Sequence, residues 1–202
     1  MALTNAYTTL ETVKAALRIT DNDDNTLIEQ AINTASRMID GYCQREFYNA
    51  GTAARIFAAN EELYVDIDDL AGTAITLQTD SQATGDFDIT WTPADYQLEP
   101  LNGKLAGQVW AFTRIRAVLN YLFPVQNQVA LVKVTGVWGW PAVPQAIEYA
   151  TIMQSQRLFK RLDSPTGILG FGDMGAVRVT RQLDPDVAEM VNPFRRDGFG
   201  IG

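Results

Sequence analysis

The feature that most constrains this chain is its hydrophobic period, which changes twice. From Leu27 to Cys43 the apolar residues recur at intervals of three and four: Leu27, Ile28, Ala31, Ile32, Ala35, Met38, Ile39, Tyr42 and Cys43. This spacing lays one apolar stripe along a helix of about five turns. From residue 53 to 138 the pattern turns into short β-branched and aromatic runs: "ARIFAA", "ELYVDI", "AITLQT", "FDITW", "YQLEP", "GQVWAFTRI" and "ALVKVTGVW". Gly, Pro, Asn and Asp separate the runs, and several alternate polar with apolar residues, as antiparallel strands with one buried face do. After "GWPAVPQ" the helical period returns over residues 145–162. A chain that reads helix, then strands, then helix predicts an α+β fold. We expect a small helical bundle with an inserted, mostly antiparallel β region. N-terminal helices and a long C-terminal helix make the bundle.

The expected divisions follow from these changes. Residues 1–52 and 139–192 form the helical part, residues 53–138 the β region, and residues 193–202 a C-terminal arm. A first short helix is signalled by "TTLETVKAALRI", where Thr8 and Glu11 fit a capping box and Leu10, Val13, Ala16 and Leu17 form a stripe. Asp23 and Asp24 stand at the start of the second helix, where the helix dipole favours acids. In the segment 145–162 the apolar residues Ala146, Ile147, Tyr149, Ala150, Ile152, Met153, Leu158, Phe159 and Leu162 spread beyond one stripe. A helix apolar over so wide an arc needs partners on two sides, and Tyr149, Met153 and Phe159 are the candidates for a contact between subunits. Asp184 and Pro185 open a last short helix, which Pro193 stops.

Composition narrows the chemistry. The chain has no histidine and one cysteine, Cys43. Ser-His-Asp and Cys-His catalysis, imidazole zinc sites, thiolate clusters and an internal disulfide are therefore excluded. Cys43 lies on the apolar stripe and is expected to be an inert buried thiol, which suits a reducing compartment. The N-terminal residues do not have the layout of a secretory signal, and no apolar run is long enough to span a membrane. Carboxylate chemistry and oxygen-bound cations are what survive. The formal net charge is −8. Residues 1–144 hold all of it, with 9 basic against 17 acidic residues, whereas residues 145–202 hold 7 of each. Such a chain does not grip a phosphate backbone, but it could surround DNA without holding it.

Five patterns invite a sharper reading. Gly170, Gly172 and Gly175 in "ILGFGDMGAVRVT" match G-x-G-x-x-G. A dinucleotide loop needs a strand before it and a helix after it, and here the expected helix precedes and the strand "AVRVT" follows. The glycines are read as loop glycines, with Phe171, Asp173 and Met174 set out for a partner. "DNDDN", Asp21 to Asn25, opens like a calcium loop, but Thr26 stands at the glycine position and Ile32 at the glutamate position. Asp66, Asp68 and Asp69 could form an acidic site with Glu61, Glu62 or Asp88, though loop acids facing water are the simpler reading. Trp138 and Trp140 read as core or interface aromatics. Finally, Phe194, Arg195, Arg196 and Phe199 pair aromatics with arginines beyond a helix stop, the composition of an interface hot spot.

Two segments resemble a known family. "TTLETVKAALRITDNDDNTLIEQAINTASRMIDGYCQREF" resembles the N-terminal helices of the head-to-tail connector, or adaptor, proteins of long-tailed bacteriophages. There a short helix, an acidic break and a long helix end near a Tyr and a basic residue, which Tyr42 and Arg45 match. "VTGVWGWPAVPQAIEYATIMQSQRLFKRLDSPTGILGFGDMGAVRVTRQLDPDVAEMVNPFRR" is similar to the C-terminal half of connectors from actinobacterial phages. The shared elements are G-x-x-G-W-x-x-x-P, R-x-x-x-R-x-D-S-P-x-G and G-F-G-D. The resemblance implies a structural virion protein without enzymatic activity or cofactor. It implies a homo-oligomeric ring of twelve copies below the portal, assembled in the host bacterial cytoplasm. Its partners are the portal protein and the next neck or tail protein, and genomic DNA passes through the channel without sequence-specific binding. On that reading Phe194, Arg195, Arg196 and Phe199 dock on the portal, and the loop with Phe171, Asp173 and Met174 orders on assembly. A tail-terminator or head-closure protein is a second reading. A metal-dependent hydrolase or nuclease using Asp66 or Asp68 is a third.

Overall fold

The structure, a computed structural model, describes residues 2–118, 120–162, 168–169, 177–178 and 183–196, with the backbone alone for 168–169 and 177–178. It is an α+β chain of two compact units. One unit holds the residues up to Phe47 and those from Val143 onward, and the other runs from Tyr48 to Ala142.

The helical unit is built on α1 (Leu10–Leu17), α2 (Asn25–Cys43), α3 (Gln145–Leu162) and α4 (Pro185–Val191). The cap of α1 is Thr9, whose side chain accepts the Thr12 N–H at 3.2 Å. The expected cap was Thr8, which is instead buried. The acidic break before α2 is tied down by Lys14, whose ammonium reaches Asn22 Oδ1 at 2.8 Å and Asn25 Oδ1 at 2.9 Å. The buried face of α2 is the predicted stripe: Ile28, Ala31, Ile32, Ala35, Ile39 and Cys43. Val13 of α1 packs with Ile28 and Ile32, and Phe159 of α3 covers the cluster. On α3 the fully buried residues are Ile147, Ala150, Thr151, Gln154 and Ser155. Its buried hydroxyls need no outside partner, because Thr151 and Ser155 return their hydrogens to Ile147 and Thr151 carbonyls one turn back. Asp184 caps α4 as expected, accepting the Asp186 N–H at 3.1 Å.

The sheet unit is an antiparallel half-barrel. Its main strands are β1 (Asn49–Phe57), β2 (Tyr64–Leu70), β3 (Thr76–Thr79), β4 (Ile89–Trp91), β5 (Tyr96–Glu99), β8 (Phe112–Ala117) and β9 (Val132–Gly139). They run β4-β3-β9-β2-β8-β5, with β1 paired along the other flank of β9. β6 (Lys104–Leu105) and β7 (Gln108–Val109) form a separate small hairpin. The expected run "GQVWAFTRI" is therefore two strands, broken at Trp110 and Ala111. The core gathers Val65, Leu70, Leu77, Trp91, Ile115, Phe123, Val132, Val134 and Trp138. Trp91 stacks on Phe123 with ring centroids 4.6 Å apart. Trp138 donates its indole N–H to the Ala53 carbonyl at 2.7 Å, and Trp140 donates to Asp69 Oδ2 at 3.0 Å. Both tryptophans are core residues, which settles one of the sequence readings. Gly139 sits at φ +96°, and a Cβ there would fall 2.0 Å from the Tyr48 carbonyl oxygen. Only glycine lets the last strand close against the first.

Two more backbone strands follow α3. β10 (Ile168–Leu169) and β11 (Val177–Arg178) pair antiparallel. The glycines of the G-x-G-x-x-G pattern lie between them, outside the described residues, as do Phe171, Asp173, Met174 and Phe199. The observed flanks are α3 and two paired strands, not the strand and helix of a phosphate loop.

Candidate interaction surfaces

At the C-terminal end of α2, burial and charge meet. The Tyr7 hydroxyl hydrogen-bonds Asp40 Oδ1 and accepts the Phe47 N–H at 2.8 Å. Arg37 Nε holds Asp40 Oδ2 at 2.8 Å and lies over the Tyr7 ring. Burial pushes the Asp40 carboxyl up to about 6, against the pull of the Tyr7 hydrogen bond and the Arg37 charge. The Tyr7 hydroxyl is held above its ordinary range by burial and by Asp40. Cys43, on the same helix end, is fully buried, and burial raises its thiol to about 12. It is unreactive, as its place on the stripe suggested.

The C-terminal segment packs onto this end. Phe194 is 4% exposed and meets the Phe47 ring edge to face at 5.9 Å. The Arg196 N–H donates to the Cys43 carbonyl at 2.9 Å, and the Arg195 guanidinium lies 5.6 Å from the Tyr42 ring centre. Phe194, one of the residues expected to dock on a partner from the arm 193–202, is thus buried within its own chain. α4 ends before Pro193, as expected, and a 3-10 turn, Asn192–Phe194, then brings Phe194 into the core. Of the proposed docking group, Arg195 and Arg196 remain at the surface.

The α3 residues divide likewise. Tyr149 is 57% exposed, Met153 is half-buried, and Phe159 is drawn into the packing around Val13, Ile28 and Ile32. Arg157 pairs with Asp184 and ties α3 to α4. A shallow groove between α2 and α3 is lined by Leu27, Ala31, Thr34, Leu158 and Leu162. Leu27 and Leu162 are 41% and 54% exposed, and the sequence reading missed the groove. The signal existed, because both leucines sit at the rim of their stripes. What periodicity omits is which rim has a neighbour.

The acids of β2 separate rather than converge. Asp66 binds Arg114 at 2.7 Å, Asp68 binds Arg55 at 2.7 Å, and Asp69 turns inward to Trp140. Glu99 takes Arg116 at 2.6 Å. Each carboxylate answers a partner of its own, so the acids do not converge on a shared cation site. Among the described residues no group of three or more His, Cys, Asp or Glu is placed to hold a metal ion. No described helix is long and apolar enough to cross a membrane. Two loops of the sheet unit expose apolar side chains: Leu101, Leu105 and Val109 around the small hairpin, and Tyr121, Leu122, Val125 and Val129 before β9. The sequence reading singled out neither, since most of these residues fall between the strand runs.

Known proteins give this geometry a context. The family described as "Phage gp6-like head-tail connector protein" matches residues 7–75. That span holds α1, α2, β1 and β2. No curated protein matches the chain. Among solved structures, a chain in the neck of an empty gene transfer agent particle, computed with C6 symmetry, superposes with a TM-score of 0.56 at 14% identity. A chain in the neck of the native particle, computed with C12 symmetry, gives 0.54 at 14%, and one in the native virion gives 0.55 at 15%. All three alignments cover 100% of this chain and 96% of the other. The chain is therefore similar to gp6-like phage head-tail connectors over residues 7–75 and shares its whole fold, helical unit and inserted half-barrel alike, with those particle-neck proteins.

Proposed function

We propose that this protein is a structural component of a phage virion neck, a head-to-tail connector that forms a ring below the portal and joins capsid to tail. The observation that carries the reading is the full-length fold likeness to neck proteins, which includes the inserted half-barrel. The family match over α1, α2 and the first strands supports it from sequence. A ring of twelve copies extends the DNA channel, assembles in the host bacterial cytoplasm, and meets the portal on one side and the next neck or tail protein on the other. The charge pattern favours this role. The sheet unit's three arginines, Arg55, Arg114 and Arg116, are each tied to a carboxylate, and the chain is net −8. A lumen lined this way presents little free positive charge to DNA phosphates. The connectors of actinobacterial phages are the relatives that the C-terminal motifs suggest.

Arg195 and Arg196, with Phe199, are the proposed portal contacts. The segment with Phe171, Asp173 and Met174 is the proposed contact that orders on assembly, and Tyr149 with Met153 the proposed contact between subunits. The test is electron microscopy of the purified protein with and without its portal. Rings stacked coaxially on the portal are expected. A protein that never joins the portal ends the proposal. Charge reversal of Arg195 and Arg196 to Glu tests the docking site without removing Phe194 from the core, and undiminished portal binding would discard that assignment.

A further inference from the structure

The longest open strand edge in the described sheet belongs to β1, nine residues long. The direction of its polar groups follows from one hydrogen bond. The Ala71 N–H donates to the Val137 carbonyl at 2.8 Å, so Val137 turns its backbone groups away from β1. Alternation turns Thr135 and Lys133 the same way, and Gly136 and Val134 toward β1. The register pairs Thr52 with Val137, Ala54 with Thr135 and Ile56 with Lys133. The N–H and C=O groups of Thr52, Ala54 and Ile56 therefore face outward. All three residues are exposed, Ile56 at 53%. The one bulge of β1 lies at its start, between Asn49 and Gly51, and leaves the stretch from Thr52 to Phe57 in regular register. "NAGTAARIF" contains no Lys and no Pro, and its one charge, Arg55, is paired with Asp68. The other two edges are guarded: β4 has three residues and follows Asp88, and β5 has four and runs into Pro100.

What fits this edge is set by side-chain parity. Phe57 packs on the core, so Ala53 and Arg55 share its face, while Thr52, Ala54 and Ile56 lie on the outer face. An added strand keeps the two faces continuous only if its own outward backbone groups also belong to outer-face residues. β5 fails this condition. The Ala117 N–H donates to Leu63, which leaves Tyr96 and Leu98 as the outward residues of β5, and both pack on the core. A second copy of β1 meets it. An antiparallel pair centred on Ala54 sets Thr52 opposite Ile56 and Ala54 opposite Ala54, with about six backbone hydrogen bonds. On the core face Arg55 then stands opposite Ala53, so no like charges meet.

We infer that the free protein pairs through β1 with a second copy of itself, about a two-fold axis at Ala54. The inference concerns the subunit before assembly and is separate from the neck reading. A two-fold contact does not belong to a cyclic ring, so joining the ring must open the pair and free the edge.

Sedimentation of the full-length protein tests this. A monomer–dimer equilibrium is expected for the native chain. Ala54→Pro removes one outward N–H without touching the β1–β9 ladder, and Thr52→Lys adds an edge charge. Each should weaken dimerisation on the order of tenfold or more, with unchanged tryptophan fluorescence as the folding check. Ala54→Cys should give a disulfide-linked dimer on mild oxidation, because hydrogen-bonded partners stand about 5.5 Å apart at Cα. Ile89→Cys, on the exposed edge strand β4, should not. A native chain that stays monomeric, that sediments only as larger rings, or whose Ala54→Cys and Ile89→Cys variants cross-link equally overturns the inference. Portal binding of Ala54→Pro reads out the neck proposal by itself, since that binding does not require the dimer.

Discussion

The two units reach their folds by different means. The helical unit is held by stripes that meet: α2 lays a predictable apolar face against α1 and α3, and each contact follows from spacing along one helix. The sheet unit is held by partners far apart in sequence. β1 pairs with β9, and β9 also lies against β3 and β2, so the core exists only once the central strand has arrived. Charge is used differently as well. The sheet pairs its three arginines with its own carboxylates and buries Asp69, Asp80 and Asp95, whereas in the helical unit the half-buried Asp40 sits between a tyrosine and an arginine. Both units depend on partners distant in sequence, α2 on α3 across the whole inserted sheet and β1 on β9, but the helical faces follow from spacing along each helix and the strand pairings do not.

The tryptophans make this contrast measurable. All four, Trp91, Trp110, Trp138 and Trp140, lie in the sheet unit, while helicity at 222 nm comes from the helical unit. The largest effect is expected at Trp138, which is fully buried and lies 5.5 Å from the Phe57 ring. Trp138→Ala should cost the sheet unit about 3–5 kcal/mol, seen as an earlier denaturant midpoint by fluorescence. A midpoint shift confined to the helical signal would break the comparison. Next comes pH. Asp40 titrates near 6 in the folded chain against an ordinary 3.8, so the folded state holds the proton more tightly. Stability from this group is full at the acidic end and declines as pH rises from about 4 through about 6, by roughly 2–3 kcal/mol. Asp40→Asn should flatten that slope in the helical signal; an unchanged slope would place the titration elsewhere. The smallest effect is at the cap. Thr9→Ala should cost about 1 kcal/mol, again in helicity and not in fluorescence.

How much of this was legible in sequence follows the same division. The centre of the α2 stripe was readable, because helix burial repeats within a single element, while Leu27, Met38 and Tyr42 at its rim are not buried. The β runs were readable as runs, and their boundaries moved: β1 begins at Asn49, ahead of the first β-branched cluster, because its partner β9 extends to Gly139. Strand order was not readable, since nothing in "TLQT" or "ITW" says which neighbour it takes. The candidate site suffered most where one residue depends on a distant one. Phe194 looked like an exposed anchor beside two arginines, yet Phe47, near the other end of the helical segments, supplies its pocket. The Asp66 and Asp68 pairings were hidden for the same reason, as Arg114 and Arg55 come from other strands.

The close approach of Gly139 to Tyr48 has a further consequence. The Trp140 N–H donates to the Tyr48 carbonyl at 3.2 Å, so the 95 residues from Tyr48 to Ala142 leave the helical chain and return to it at nearly one point. To the helices, the whole half-barrel is a loop whose ends already touch. The entropy of closing a loop grows only with the logarithm of its length. Enlarging, trimming or exchanging the half-barrel therefore costs the bundle little, provided the replacement starts and stops at that same pinched pair of residues. The arrangement makes the sheet unit a replaceable cassette on a fixed helical frame.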